Sequence, residues 1–167
     1  MIATHELLNR FAAGPDLLRY AAQGLTPEQE QARPGPGAWS IAELVAHMVD
    51  SDGVGIERMK RVIAEENPTL QAYDQDAWIA RLDSQSMPVA EGVALFAANR
   101  VWMTRILRKC SDADFARSGL HTEDGPKSLA KLVVGYVGHL DYHLKFFYAK
   151  RANIGVALYP RYSYPSE

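Results

Sequence analysis

The chain has 167 residues, 47% of them hydrophobic, and its 18 Lys+Arg against 20 Asp+Glu leave a formal net charge of −2. That length supports one sizeable core, and with no break in composition a single domain over residues 1–167 is expected. No basic cluster points to nucleic acid, no apolar run approaches the roughly 20 residues of a membrane span, and a lone Cys110 behind an N-terminus unlike a signal peptide predicts a cytoplasmic protein without disulfides.

Helical spacing dominates every long segment, and strand-like alternation is scarce, so the expected class is all-α. The first segment carries Leu7, Leu8, Phe11, Leu17, Leu18 and Ala21, interrupted by Gly14-Pro15, which predicts a kink or two abutting helices. Thr26-Pro27-Glu28-Gln29 has the pattern of a capped short helix, ended by the Pro34–Gly37 stretch. Ser40 with Glu43 is a capping box, and Trp39 is placed to staple onto Leu44, so a long helix is predicted from Ile41 to about Glu66.

From Asn67 to Met87 the chain reads as a long link with at most a short helix around Tyr73 to Leu82. A third main helix is predicted from about Pro88 to Lys109, with Val89, Val93, Phe96, Met103 and Leu107 on one side. Ser111 to Gly125 reads as a polar loop, and a fourth main helix fills roughly Pro126 to Ala152. Four amphipathic helices must bury their stripes against one another, which predicts a four-helix bundle with a long link between the second and third main helices.

The chemistry concentrates in histidines. His139 and His143 stand four apart in the stripe Leu129, Leu132, Tyr136, Leu140, Phe147, so both rings project from one helical face toward the interior. His47 lies in the other long helix, at the border of its stripe beside Leu44 and Ser51, which suits a site on one side of the bundle and open to solvent. Three imidazoles satisfy the protein share of a catalytic metal site with a free fourth position. The same spacing also occurs in histidines that merely pack or sit at the surface.

The stretch Gly37-Ala38-Trp39-Ser40-Ile41-Ala42-Glu43 leading to His47, with the later His139-x-x-x-His143, resembles the DinB/YfiT-like superfamily of metalloenzymes over nearly the whole chain. His47-x-x-Asp50-Ser51, the block Tyr73 to Trp78, Asp83, and His121 with Glu123 and Gly125 resemble its YfiT-type branch. The resemblance implies a four-helix bundle, often a homodimer, in which His47, His139 and His143 bind a divalent metal such as zinc or nickel. It departs at Asp52, where the branch often has another histidine, and at Gly138 and Tyr142. Relatives of this kind include thiol-dependent S-transferases and isomerases, which implies a small-molecule substrate and activation of a low-molecular-weight thiol. Hydrolysis by metal-activated water and a non-enzymatic, stress-associated metal-binding bundle are the alternatives.

Other residues admit two readings each. Asp50, three after His47, is placed to orient a ligand ring or metal-bound water, or is a solvated acid on the polar face. Arg100 falls within an apolar stripe and must pair with a carboxylate, Asp50 being one option, or clamp a substrate carboxylate. His121 folds over the mouth of the site or is an exposed loop histidine, and Tyr73 and Trp78 wall the site or anchor the link. Asp141 points about opposite to the histidine pair; His5 is expected to be exposed, and Cys110 has no neighbour that marks a nucleophile.

Overall fold

A computed structural model describes residues 4–164. Its main helices are α1 (Thr4–Ala22), α3 (Ile41–Ala64), α5 (Val89–Leu107) and α7 (Leu129–Asn153), with the short helices α2 (Pro27–Gln31), α4 (Gln75–Arg81) and α6 (Asp112–Ala116) between them. The capping boxes predicted at Thr26 and Ser40 both form. At α3 the Ser40 hydroxyl accepts from the Glu43 amide at 3.1 Å, and the Glu43 carboxylate accepts from the Ser40 amide at 2.8 Å. Two orphan donors of the helix start are thereby satisfied.

Gly14-Pro15 does not split the first segment, which is one helix. An interior proline costs about 3 kcal/mol, and burial of Leu7, Leu8, Phe11 and Leu18 offsets it. Gly14 is also where the Arg100 guanidinium closes on α1: a Cβ there would stand 3.4 Å from Arg100 Nη1 and 3.1 Å from a Leu140 methyl.

The bundle has a connectivity that short hairpins could not give. Helix α1 packs on α5 and α7, and α3 packs on the same two, so the first and second main helices lie on one diagonal and the third and fourth on the other. The steps from the first main helix to the second and from the third to the fourth therefore cross a diagonal, and the connections that make them run over the ends of the bundle. The link from residue 65 to 88 instead joins the neighbouring helices α3 and α5, and it holds β1 (Thr69–Leu70), α4 and a 3-10 turn, Ser84–Ser86.

The segment predicted as a polar loop, Ser111 to Gly125, instead holds α6 and half of a small sheet. Strand β2 (Ser118–His121) pairs antiparallel with β3 (Gly125–Ser128) and parallel with β1. The sheet thus pins the long link to the start of α7. The core runs through the bundle as two contiguous clusters, one centred on Phe11, Met103, Leu107 and Val133, the other on Leu18, Ile41, Phe96 and Phe147. No helix among the described residues is long and apolar enough to cross a membrane.

Helices α3 and α7, which carry the histidines, touch closely because Gly55 faces Tyr136. A Cβ on Gly55 would lie 2.2 Å from the Tyr136 ring, whose hydroxyl accepts from Arg58 Nη1 at 3.2 Å. Gly55→Ala is expected to lower unfolding free energy by about 1–3 kcal/mol, the usual cost of overpacking, measured by urea denaturation. A stability equal to wild type would show that α3 and α7 can separate freely at this level.

Candidate metal centre

The three histidines converge. His47 Nε2 lies 3.3 Å from His139 Nε2 and 3.1 Å from His143 Nε2, and the last pair is 3.1 Å apart. Tetrahedral coordination at the usual zinc–nitrogen length of about 2.0–2.1 Å requires donors about 3.3 Å apart, so the triangle has the size of one face of such a site. Helix geometry explains the pair on α7, and the close α3–α7 contact at Gly55 brings the third ring to them.

Electrostatics agrees with the geometry. Burial holds His139 down to about 3 and His143 to about 4, with the neighbouring imidazoles, and for His139 also Arg100, adding to the effect. His47 is lowered by burial as well, opposed by the charge of Asp76. Near neutral pH the rings are therefore uncharged, and each presents an Nε2 lone pair when the proton sits on Nδ1. Three lone pairs aimed at one point in a desolvated setting repel one another unless a cation lies between them. The donor set fits a divalent ion, and it is the group of three or more His, Cys, Asp or Glu found within coordinating reach of one another among the described residues. Among the described residues no fourth His, Cys, Asp or Glu belongs to it.

His47 is 2% exposed, deeper than its border position on the helical wheel suggested, and His143 is 9% exposed. The Ser51 hydroxyl approaches His139 Nε2 at 3.5 Å, and the Trp39 ring tilts over His47 at 5.3 Å.

Arg100 is not paired with Asp50. Its Nε donates to Asp52 Oδ1 at 2.6 Å and its Nη2 to the Tyr136 carbonyl at 2.9 Å, while the guanidinium lies 4.0 Å from the centre of the Phe11 ring. Both members of the pair are sealed from solvent, so Arg100 does not reach a ligand at the metal centre in this arrangement. Asp50 instead lines a cleft of about 730 Å³ with Glu57, Tyr73, Trp78, Leu95 and Asn99. Partial burial raises its carboxyl above the usual range. Tyr73 and Trp78, with ring centres 4.7 Å apart, wall that cleft, and the Tyr73 hydroxyl is buried without a hydrogen-bond partner.

His121 is buried rather than exposed in a loop: it ends β2, and its Nδ1 accepts from the Glu123 and Asp124 amides at 3.3 and 3.2 Å. That bonding makes it a brace for the hairpin turn. Asp141 turns away from the rings, as its position on the wheel predicts, and accepts from the Ser163 and Tyr164 amides at 2.7 and 2.9 Å. His5 is exposed, and Cys110 is partly buried, which pushes its thiol up.

A second depression, of about 310 Å³, opens at His143 and is lined by Trp39, Gln75, Tyr142, Phe146 and Lys150. The stripe chosen on α7 hid it. Read from the histidines instead, positions 139, 142, 143, 146 and 150 follow the 3-and-4 spacing of one face, and that signal was present in the chain.

A family model described as DinB superfamily matches residues 10–147. The chain belongs to the DinB superfamily. Among its relatives is a protein of Oceanobacillus iheyensis, 30% identical over 143 residues that cover 86% of this chain and 83% of the relative. YfiT of Bacillus subtilis is 28% identical over 131 residues, 78% of this chain and 74% of that one. Both carry the name "Putative metal-dependent hydrolase". The solved structure of YfiT from Bacillus subtilis, described as having an unusual four-helix bundle topology, superposes with a TM-score of 0.85 at 24% identity, covering 93% of this chain and 91% of that chain. The placement of the first and second main helices on one diagonal and of the third and fourth on the other thus belongs to a fold this DinB member shares with a known bundle.

Proposed function

We propose that the protein is a metal-dependent hydrolase in which His47, His139 and His143 hold a divalent ion, zinc or nickel, that activates water against a small-molecule substrate. The observation that carries this reading is the triangle of uncharged Nε2 atoms, 3.1–3.3 Å on a side, with no fourth protein ligand among the described residues and with His143 facing an open depression. A structural metal site is normally closed by four protein ligands, whereas a catalytic one keeps a position free. A divalent ion so held supplies Lewis acidity, lowering the pKa of coordinated water to about 7 and ionising a coordinated thiol outright.

The chain's own groups supply the rest. Burial keeps the imidazoles unprotonated, Trp39 excludes water from the His47 side, and Tyr142 and Phe146 flank the approach to His143. The names borne by the relatives in Oceanobacillus iheyensis and Bacillus subtilis support hydrolysis. A second reading, transfer of a low-molecular-weight thiol to an electrophile, is favoured by one feature: among the described residues no carboxylate shares the metal-ligating group, and a thiol ionised on the ion needs no base.

The test is metal analysis of purified protein, followed by assays of an aryl-ester panel and of a thiol with a chromogenic electrophile, each with and without chelator. Ester cleavage that chelation abolishes and zinc or nickel restores is expected. Chelator-sensitive thiol transfer without ester cleavage would transfer the assignment to the second reading. Stoichiometric metal with turnover in neither assay would leave a metal-binding bundle that is not an enzyme.

A further inference from the structure

The depression at His143 has a composition that points to the ligand it takes. Its walls are aromatic: Tyr142 and Phe146 are 56% and 46% exposed, meet edge to face at 5.0 Å, and line the depression together with Trp39. Large aromatic groups left uncovered on one face, one helical turn apart and beside a buried histidine, form a slot for a flat apolar body. The charge at its rim is Lys150, half-buried, whose Nζ donates to the Trp39 carbonyl and retains two further protons for a ligand.

Among the described residues no acidic side chain lines this depression, although the charge of Asp76 acts on the neighbouring His47. The carboxylate that acts on Lys150 is that of Glu43, and Glu43 is already occupied by Arg33 and the Ser40 amide. The larger cleft has the opposite character, with Asp50 and Glu57 and no cationic side chain. The charged group at the depression is thus the Lys150 cation, whereas the larger cleft presents carboxylates.

We infer that the depression at His143 is a subsite for an aromatic carboxylate, the ring lying between Trp39 and the Tyr142–Phe146 pair and the carboxylate on Lys150. This deepens the hydrolase reading, because it names the substrate class that would present its reactive bond beside the metal centre. Lys150 is a binding residue: it holds the anionic end of the substrate and takes no proton in the reaction.

The test uses the full chain loaded with zinc, titrated by calorimetry with benzoate and with benzamide, which has nearly the same shape and no charge. Benzoate is expected to bind about tenfold more tightly, as a charge-assisted hydrogen bond allows. Lys150→Gln should remove that preference while leaving benzamide affinity unchanged, and Lys150→Arg should restore it, which separates the charge from any loosening of Trp39. Equal affinities for the two ligands in wild type, or a preference that survives Lys150→Gln, would overturn the proposal. Repeating the titration after chelation separates the two readings. A preference lost with chelator but kept in Lys150→Gln means that the carboxylate binds the ion, so the subsite falls and the metal centre stands. Protein that never binds metal yet shows the Lys150-dependent preference reverses that outcome.

Discussion

Replacing His139 with alanine is expected to weaken divalent metal binding by at least about a hundredfold and to reduce metal-dependent turnover to background. Losing a group that merely orients a ligand already costs 10–100-fold in comparable sites, and His139 is a donor itself. The two remaining rings would hold the ion by one edge, leaving two positions to solvent. The fold should survive, because His139 is less buried than its two partners and the substitution removes one of three mutually repelling lone pairs. Metal content and thermal unfolding with and without added zinc check this. Wild type should gain stability from zinc, by about 4 kcal/mol at a thousandfold excess over Kd, and the variant should gain little. Wild-type metal content in His139→Ala would refute the three-histidine centre.

The same rings give metal-free protein a defined response to pH. Each folded-state imidazole titrates below its ordinary value of 6.5, His139 at about 3 and His143 at about 4. The unfolded chain therefore takes up protons first as pH falls, and stability that is intact above about 6.5 is lost progressively down to about 3.

Arg100→Met is expected to lower unfolding free energy by about 3–5 kcal/mol, and Asp52→Leu by a similar amount, because each leaves its partner's charge buried and unpaired. Burial raises the Asp52 carboxyl and lowers the Arg100 guanidinium, each opposed by the other's charge, so the pair persists only as a unit. The double variant should recover much of the loss, since two apolar side chains would fill the space between Phe11, Phe96 and Gly14 without an orphaned charge. Urea denaturation of the four proteins gives the coupling. Additive losses in the double variant would mean that the two side chains do not stabilise each other.

Which parts of this were legible in the chain follows from how local their causes are. The helices were, because caps and periodicity act within a few residues: Ser40 and Glu43 settle where α3 begins, and the His139–His143 pair needs nothing beyond one turn of helix. The partner of Arg100 was not. A single-stripe reading of α3 favours Asp50 beside His47, but α3 packs against both α5 and α7 and so buries two faces, and Asp52 lies on the one turned to α5. The sheet was hidden for a different reason. Its central strand, Ser118–His121, has only four residues, one of them glycine, and acquires its order from Thr69 and Leu70 about fifty positions earlier. His121 looked like a loop residue because that pairing is invisible in its neighbourhood.

The tail beyond α7 bears on the chemistry despite its distance from it. Asp141 sits between the paired histidines in sequence and grips the amides of Ser163 and Tyr164 on the far side of the helix, while the Tyr148 hydroxyl exchanges hydrogen bonds with the backbone of Arg161. These ties resist a roll of α7 about its own axis, and a roll of about 10–20° is enough to swing both rings out of coordinating alignment. Residues 161–164 therefore act as a torsional stay for the metal-binding helix, and loosening them would detune the centre without touching a single ligand.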